Sequence, residues 1–256
     1  MIRLDAATVL LQWATGGLLF LWVTSRRRQV GIGYGWLLRG IYAVLALAGA
    51  FAGRRWQPHT GRDLCALLVA AVTTAALLVS IIRRREGLAG PRAFPPPLDL
   101  VAPAAGAVGL AVAGWSAGDP HLLAVARTLV GAAFLGAVTD AMLLGHWYLV
   151  QPGLERAPLR ELVTALTVVW PFEVAVLLWP TGMVSVLTGT VDDGWHGTLG
   201  WFWVACAGTM LVLAFVTRAA LKERAYSAVM AATGLLYLAI LTAFGTDLVA
   251  RAVLTR

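Results

Sequence analysis

Three ionisable side chains lie within one long apolar stretch of the chain. The segment at 122–150, LLAVARTLVGAAFLGAVTDAMLLGHWYLV, carries Arg127, Asp140 and His146. It is longer than the ~20 apolar residues that a transmembrane helix needs. Ionisable groups at membrane depth are costly, and they usually face the interior of a helix bundle or a water-filled cavity. This segment is therefore the first candidate for chemistry.

A second buried carboxylate is predicted in the next apolar stretch, at Trp170-Pro171-Phe172-Glu173. Pro171 removes one helical hydrogen bond near the middle of that stretch. Asp140 is expected about 6 Å to the cytoplasmic side of the membrane midplane, at 1.5 Å per residue from position 136, and Glu173 to the other side. Buried carboxyl groups can hold and release protons, so the two residues predict a proton relay. The alternative is that each is protonated and bonded to a neighbour.

The end of the first segment, at 122–150, combines a hydrogen-bond donor with two aromatic rings in His146-Trp147-Tyr148. A quinone headgroup needs a donor for its carbonyl oxygens and apolar walls for its ring, so these residues are candidates for a quinone site. The alternative is that the aromatic rings only anchor the helix at the headgroups. Arg127 is expected to form an ion pair that locks helices, with Asp247 or Asp119 as partner; anchoring a quinone-like or anionic ligand is its alternative role.

Haem b is a further alternative at the same place, because membrane haem is commonly held by two histidines. His146 is the one histidine predicted at depth, since His59, His121 and His196 fall in loops. A single histidine cannot form a two-histidine site, so quinone is the preferred ligand. The spacing of cysteines and histidines predicts no metal site.

The amino-acid composition indicates whether the chain folds in water or in a lipid bilayer. Hydrophobic residues make up 59% of the sequence and charged residues 13%, which favours a bilayer over water. The net charge of +7 comes from short clusters between apolar stretches, which is typical of cytoplasmic loops and not of a nucleic-acid surface. All but one of the 20 basic residues are arginine. With the abundant alanine and glycine, this bias indicates a GC-rich bacterial genome and hence a bacterial cytoplasmic membrane.

The apolar stretches predict an all-α, polytopic bundle of about eight transmembrane helices. They form one transmembrane domain, 1–256, with a proline-containing connection at 83–97 as a boundary between two sub-bundles. The eight predicted spans are 4–24, 36–53, 64–82, 98–117, 122–150, 159–182, 199–218 and 226–250.

The distribution of positive charge predicts the orientation of these spans. The loops after the first, third, fifth and seventh spans are rich in arginine, whereas the alternate loops hold the three loop histidines and several aspartates. Because positive loops are retained in the cytoplasm, both termini are predicted outside. Tryptophans and tyrosines cluster at both ends of the spans, which agrees with this frame.

In helix count alone, the layout resembles the quinol-interacting membrane anchors of bacterial molybdopterin or iron–sulfur oxidoreductases. The loops are too short for a catalytic domain, so any redox centre would belong to a partner. We therefore expect a non-catalytic subunit of a respiratory or electron-transfer complex that lies in the lipid bilayer with other subunits, binds quinone and relays protons. The alternatives are a proton-coupled transporter of a small solute, a structural scaffold subunit and a haem b-binding subunit.

Overall fold

A computed structural model describes residues 4–88 and 95–254. Within these residues the chain is helical and no strand is found, which confirms the predicted all-α class. A short 3-10 turn, Pro96–Leu100, leads into the fourth helix. The α-helices are α1 Ala6–Ser25, α2 Ile32–Trp56, α3 Thr60–Arg85, α4 Val101–Ala117, α5 His121–Trp147, α6 Ala157–Leu178, α7 Gly182–Leu187, α8 Thr198–Ala220 and α9 Tyr226–Leu254.

Eight helical segments are long and apolar enough to cross a membrane, as predicted, when α4 is taken together with the turn before it as Pro96–Ala117. They indicate a multi-pass membrane protein. The ninth, α7, is a short helix that the sequence did not predict. The predicted sixth span ran to 182, but α6 ends at Leu178 because Pro180 follows. A residue before proline is pushed toward extended backbone, and Trp179 has φ −82° and ψ 145°.

The predicted sub-bundle boundary at 83–97 lies partly outside the described residues, which stop at 88 and resume at 95. Packing continues across this connection. Helix α1, which precedes the connection in the chain, contacts α4 and α5, which follow it, as well as its neighbour α2. One large apolar core extends through the helices of both halves. A smaller core joins α7 to the neighbouring ends of α6, α8 and α9.

Helix α5 occupies the centre of the bundle, with α1, α4, α6 and α9 as its neighbours. Glycines bring α1 and α5 into backbone contact. A Cβ atom added to Gly16 would lie 1.7 Å from the carbonyl oxygen of Ala132, and one added to Gly136 would lie 2.1 Å from the carbonyl carbon of Gly16. Small residues allow this close approach in membrane bundles. The polar side chains of α1 and α5 are consequently held close to each other.

The outward faces of the long helices are apolar. Val44 and Phe51 on α2 are each 65% exposed, and similar residues line α3, α8 and α9. A soluble monomer rarely exposes contiguous apolar surface on this scale. The same faces suit contact with lipid chains.

Candidate functional site

Two clusters of polar side chains lie along opposite stretches of α5. We call the first the aromatic cluster, which consists of Asp140, Tyr34 and Tyr42. We call the second the charged cluster, which consists of Glu173, Asp247, Arg251, Arg127 and Gln12. Each predicted relay carboxylate belongs to a different cluster.

The aromatic cluster surrounds Asp140 of α5 with two tyrosines of α2. The hydroxyl of Tyr42 donates to Oδ1 of Asp140, and the hydroxyl of Tyr34 donates to the backbone oxygen of the same residue at 3.3 Å. Asp140 is fully buried, and its Oδ2 has no hydrogen-bond partner among residues 4–88 and 95–254. Gly17 of α1 makes room for the Tyr42 ring, since a Cβ there would lie 2.0 Å from a ring carbon.

The charged cluster is assembled over Gly131 of α5. A Cβ atom at this glycine would lie 2.5 Å from Nε2 of Gln12, 2.6 Å from Oδ1 of Asp247 and 2.7 Å from Nη2 of Arg251. These three side chains come from α1 and α9, so the glycine is the point at which three helices bring polar groups together. A larger residue would displace them.

Asp247 and Arg251 form an ion pair one helical turn apart on α9. Nε of Arg251 lies 2.9 Å from each carboxylate oxygen of Asp247. Nη2 of Arg251 donates to the backbone oxygen of Arg127 at 2.8 Å, which ties α9 to α5. Asp247 therefore pairs with Arg251 of its own helix, and Asp119 pairs with His121, so neither forms the predicted ion pair with Arg127.

Glu173 of α6 is fully buried beside this ion pair. It interacts electrostatically with Asp247, Arg251 and Arg127. Its carboxyl group is close enough to that of Asp247 for a hydrogen bond between the two acids, which requires a proton on one of them. Two arginines thus face two carboxyl groups, so a negative charge on either acid has a compensating cation nearby.

Arg127 holds the end of α6. Its Nε donates to the backbone oxygen of Val176 at 2.8 Å, and its Nη2 donates to that of Trp179 at 2.7 Å. The last carbonyl groups of a helix have no partner within the helix, so an arginine is well suited to them. Arg127 and Arg251 also line a cavity of about 110 Å³ at this end of the bundle, together with Asp119 and Thr128.

The two predicted relay carboxylates are not brought into contact. Asp140 lies nine residues beyond Gly131 on α5, which is about 14 Å along a helix. The interval contains a hydrogen bond of 2.9 Å from Nε1 of Trp13 to Oγ1 of Thr139. Both amide atoms of Gln12 and the hydroxyl of Thr15 lack hydrogen-bond partners in the described chain, although they are buried. Buried polar atoms are normally hydrogen-bonded, so these are unusual.

The predicted quinone residues do not converge either, because consecutive helical residues point about 100° apart. His146 is exposed, and its Nδ1 lies 3.4 Å from the hydroxyl of Tyr237 on α9. Trp147 instead packs edge-on against Tyr34, with ring centroids 5.8 Å apart. The sequence indicated the right interface but could not assign these residues to one face.

Tyr148 closes the loop that follows α5. Its hydroxyl donates to the backbone oxygen of Glu155 at 2.5 Å, and its own backbone oxygen accepts from the hydroxyl of Tyr226 at 3.1 Å. Burial raises the pKa of Tyr148 well above its usual value, although nearby Arg156 opposes the shift. The phenol thus remains a donor, and its contacts support a structural role.

Several polar residues of the bundle were missed by the sequence reasoning. Tyr42 and Gln12 belong to the two clusters. Arg39 forms a buried ion pair of 2.7 Å with Asp99 that joins α2 to the turn before α4. The available signal was a polar residue inside an apolar span. Ser25 adds a contact to Asp99 at 3.4 Å.

Within the described ranges, no three His, Cys, Asp or Glu side chains come together as a metal site requires. The two cysteines, Cys65 and Cys206, are free thiols on different helices. Comparison of the chain with protein-family models, curated proteins and solved structures found no match.

Proposed function

We propose that this chain is a proton-relaying subunit of a bacterial respiratory or electron-transfer complex. It lies in the cytoplasmic membrane with both termini outside and binds quinone at its surface. The observation that supports this proposal is the position of Glu173. It is a fully buried acid that lies beside two arginines and a second acid, Asp247, with which it is close enough to share a proton.

A purely structural role does not require Glu173. Asp247 and Arg251 already satisfy each other at 2.9 Å, and Arg127 is satisfied by backbone oxygens of α6. Adding a further carboxyl group to such a pair costs free energy, since ionisable groups are expensive inside a membrane. A proton carrier has a use for that group, because two neighbouring acids that can share one proton can also pass it to each other or to water.

The proton path we propose begins at the cavity beside Arg127 and passes through the charged cluster to the aromatic cluster. Gln12 of the charged cluster faces Gly131 of α5, and both of its amide atoms lack a hydrogen-bond partner among the described residues. Water can bridge groups of this kind where two to four polar partners are available. Asp140 then receives the proton at Oδ2, while Tyr42 holds Oδ1.

The proposed orientation of the chain in the membrane follows from the distribution of its arginines. Arginines cluster at one end of the bundle, after α1, after α3 and around the ends of α6 and α8, and by the positive-inside rule this end is cytoplasmic. The cavity beside Arg127 then faces outward. The path would connect the outer surface with a point in the inner half of the membrane.

The quinone part of the proposal now rests on His146 and Tyr237. Both side chains are exposed on the outside of the bundle, near the arginine-rich end, and both can donate to a quinone carbonyl. Trp147 and Tyr148 have protein contacts and belong to the support of this region, whereas Arg127 lies near the opposite end of α5 and bonds to the end of α6. Haem b remains the alternative ligand, and a reduced-minus-oxidised visible spectrum of the purified native complex would identify it.

The decisive experiment compares Glu173→Gln and Asp140→Asn with wild type in native membranes that carry the complex. Quinol-driven proton movement should fall about 100-fold for each variant, since a positioned acid–base group contributes about 10²–10⁴. Glu161→Gln is the matched control, because Glu161 is a surface acid that pairs with Arg26 and Arg27. Full proton movement in a well-assembled Glu173→Gln complex would refute the relay.

A proton-coupled transporter is the second candidate, and one observation favours it. The cavity of about 110 Å³ is lined by two arginines, which suits a small anionic solute. Uptake of a small carboxylate by the isolated chain in proteoliposomes, abolished by Glu173→Gln, would decide for transport. A structural scaffold instead predicts that both carboxyl variants change stability alone.

A further inference from the structure

A basic groove lies between α6 and α8, away from both polar clusters. Its volume is about 420 Å³, and its lining combines three cations with a hydroxyl and two apolar side chains. The lining residues are Arg160, Val163, Thr164, Arg218, Leu221 and Lys222. They come from the first turns of α6, the last turn of α8 and the two residues that follow α8, at the arginine-rich end of the bundle.

The cations of this groove are not neutralised by the protein. Arg218 and Lys222 are exposed, and neither forms an ion pair or a side-chain hydrogen bond within residues 4–88 and 95–254. The nearest acids in sequence do not line the groove, since Glu161 pairs with Arg26 and Glu223 follows Lys222 on the loop. The groove therefore presents a local excess of three positive charges.

The negative end of the α8 dipole would normally repel an anion here. Two arginines at the start of α6 counteract this repulsion. Arg160 donates from Nε and Nη2 to the backbone oxygen of Leu221, at 3.1 and 2.6 Å, and Arg156 donates to the backbone oxygens of the loop at 223–225. The carbonyl groups are occupied, while Nη1 of Arg160 has no hydrogen-bond partner in the described chain.

Apolar surface continues from the groove toward the middle of the membrane. Val168 lies one turn beyond Thr164 on α6, and Phe215 lies three residues before Arg218 on α8. They are 55% and 52% exposed, and each shares a helix face with its polar neighbour. An amphiphile could place a charged head in the groove and its chains along these faces.

We infer that this groove binds the phosphodiester of an anionic phospholipid headgroup. Three cations and a hydroxyl match the donors that phosphate oxygens accept, and basic pockets between transmembrane helices on the cytoplasmic side are suited to such headgroups. Free inorganic phosphate shares this chemistry but lacks the acyl chains. The inference does not depend on the proposed relay, since it uses none of the same residues.

The test measures lipid retention on the full chain by native mass spectrometry, with cardiolipin, phosphatidylglycerol and phosphatidylcholine added in turn. Arg218→Gln with Lys222→Gln should weaken retention of the two anionic lipids about fivefold for each cation removed. Phosphatidylcholine retention should not change. The charge-preserving variant Arg218→Lys with Lys222→Arg should retain anionic lipid nearly as wild type does, which separates loss of charge from loss of fold.

Arg84→Gln with Arg85→Gln is the matched control, because it removes two exposed cations from the same end of the bundle but outside the groove. An equal loss of lipid in this control would overturn the site, since the attraction would then be diffuse. Competition by inorganic phosphate at millimolar concentration, with the same affinity as lipid, would overturn the lipid headgroup as its ligand. If Arg218→Gln with Lys222→Gln leaves lipid retention unchanged, both the groove as a binding site and the lipid headgroup as its ligand are overturned.

Discussion

The aromatic cluster and the charged cluster hold their carboxyl groups by different means. Asp140 accepts one hydrogen bond from Tyr42 at its side chain and one from Tyr34 at its backbone oxygen, and both tyrosines belong to α2. Glu173 and Asp247 come from two helices and face two arginines. The first arrangement requires no cation, whereas the second balances charge against charge.

One helix bundle can therefore hold buried carboxyl groups in two different ways. A neutral donor such as tyrosine can bond to an acid in either protonation state, so the aromatic cluster tolerates a proton on Asp140. An ion pair such as that of Asp247 and Arg251 depends on both charges, because loss of one leaves the other buried without compensation. The charged cluster should therefore be the more sensitive of the two to substitution.

The largest expected effect follows from breaking the ion pair. Asp247→Ala leaves Arg251 buried beside Glu173 alone, and the free energy of unfolding should fall by about 3–5 kcal/mol. SDS titration in mixed micelles measures this change. Asp247→Leu with Arg251→Leu should recover most of the loss, since apolar residues can replace a buried pair. A double variant no more stable than Asp247→Ala would show that the pair does not carry the effect.

The second effect concerns the link between α5 and α6. Arg127→Met keeps much of the side-chain volume but removes both donors to Val176 and Trp179, so stability should fall by about 2–3 kcal/mol. Arg54→Met, at an exposed position, is the control. Hydrogen exchange should rise at the end of α6 in the Arg127 variant alone. Unchanged exchange there would remove the capping role.

The third effect tests the aromatic cluster and should be smaller. Tyr42→Phe removes the donor to Oδ1 of Asp140, and stability should fall by about 1–2 kcal/mol. Tyr237→Phe is the matched control, because that hydroxyl is near the surface. If Tyr42→Phe lowers the free energy of unfolding as much as Asp247→Ala does in the same SDS titration, the charged cluster is not the more sensitive of the two.

Much of the fold was predictable from the sequence, because apolar stretches of about 20 residues have few alternatives in a membrane. Asp140 and Glu173 were recognised as buried for the same reason. Their partners were not recognised, since these depend on how α1, α2, α5 and α9 pack. The crossing of Gly16 over Gly136 brings the helices together, and no single-helix pattern encodes it. His146 illustrates the limit, because the sequence indicated its position near the end of a helix but not that its side chain points to the outside of the bundle.

The smallest effect is expected in the loop between α7 and α8, where one acid is held by backbone alone. Oδ1 of Asp193 accepts from the N–H groups of Trp195 and Gly197, and Oδ2 accepts from that of Leu199, at 2.8–2.9 Å. Burial opposes ionisation of Asp193, but these backbone donors outweigh it and lower the pKa of the carboxyl. A lowered pKa means that the loop gains stability from the ionised form.

That gain should be complete at a pH above the ordinary aspartate value of about 3.9, and it should disappear as the pH falls through the lower value of the folded loop. Hydrogen exchange of the peptide at 188–200, corrected for its intrinsic pH dependence, should therefore accelerate only in this acidic range. Asp193→Asn should show faster exchange already at neutral pH, whereas Asp192→Asn should not, since Asp192 accepts one bond from Gly194. Equal exchange in the two variants would mean that the loop is held by α7 and α8 and not by its acid.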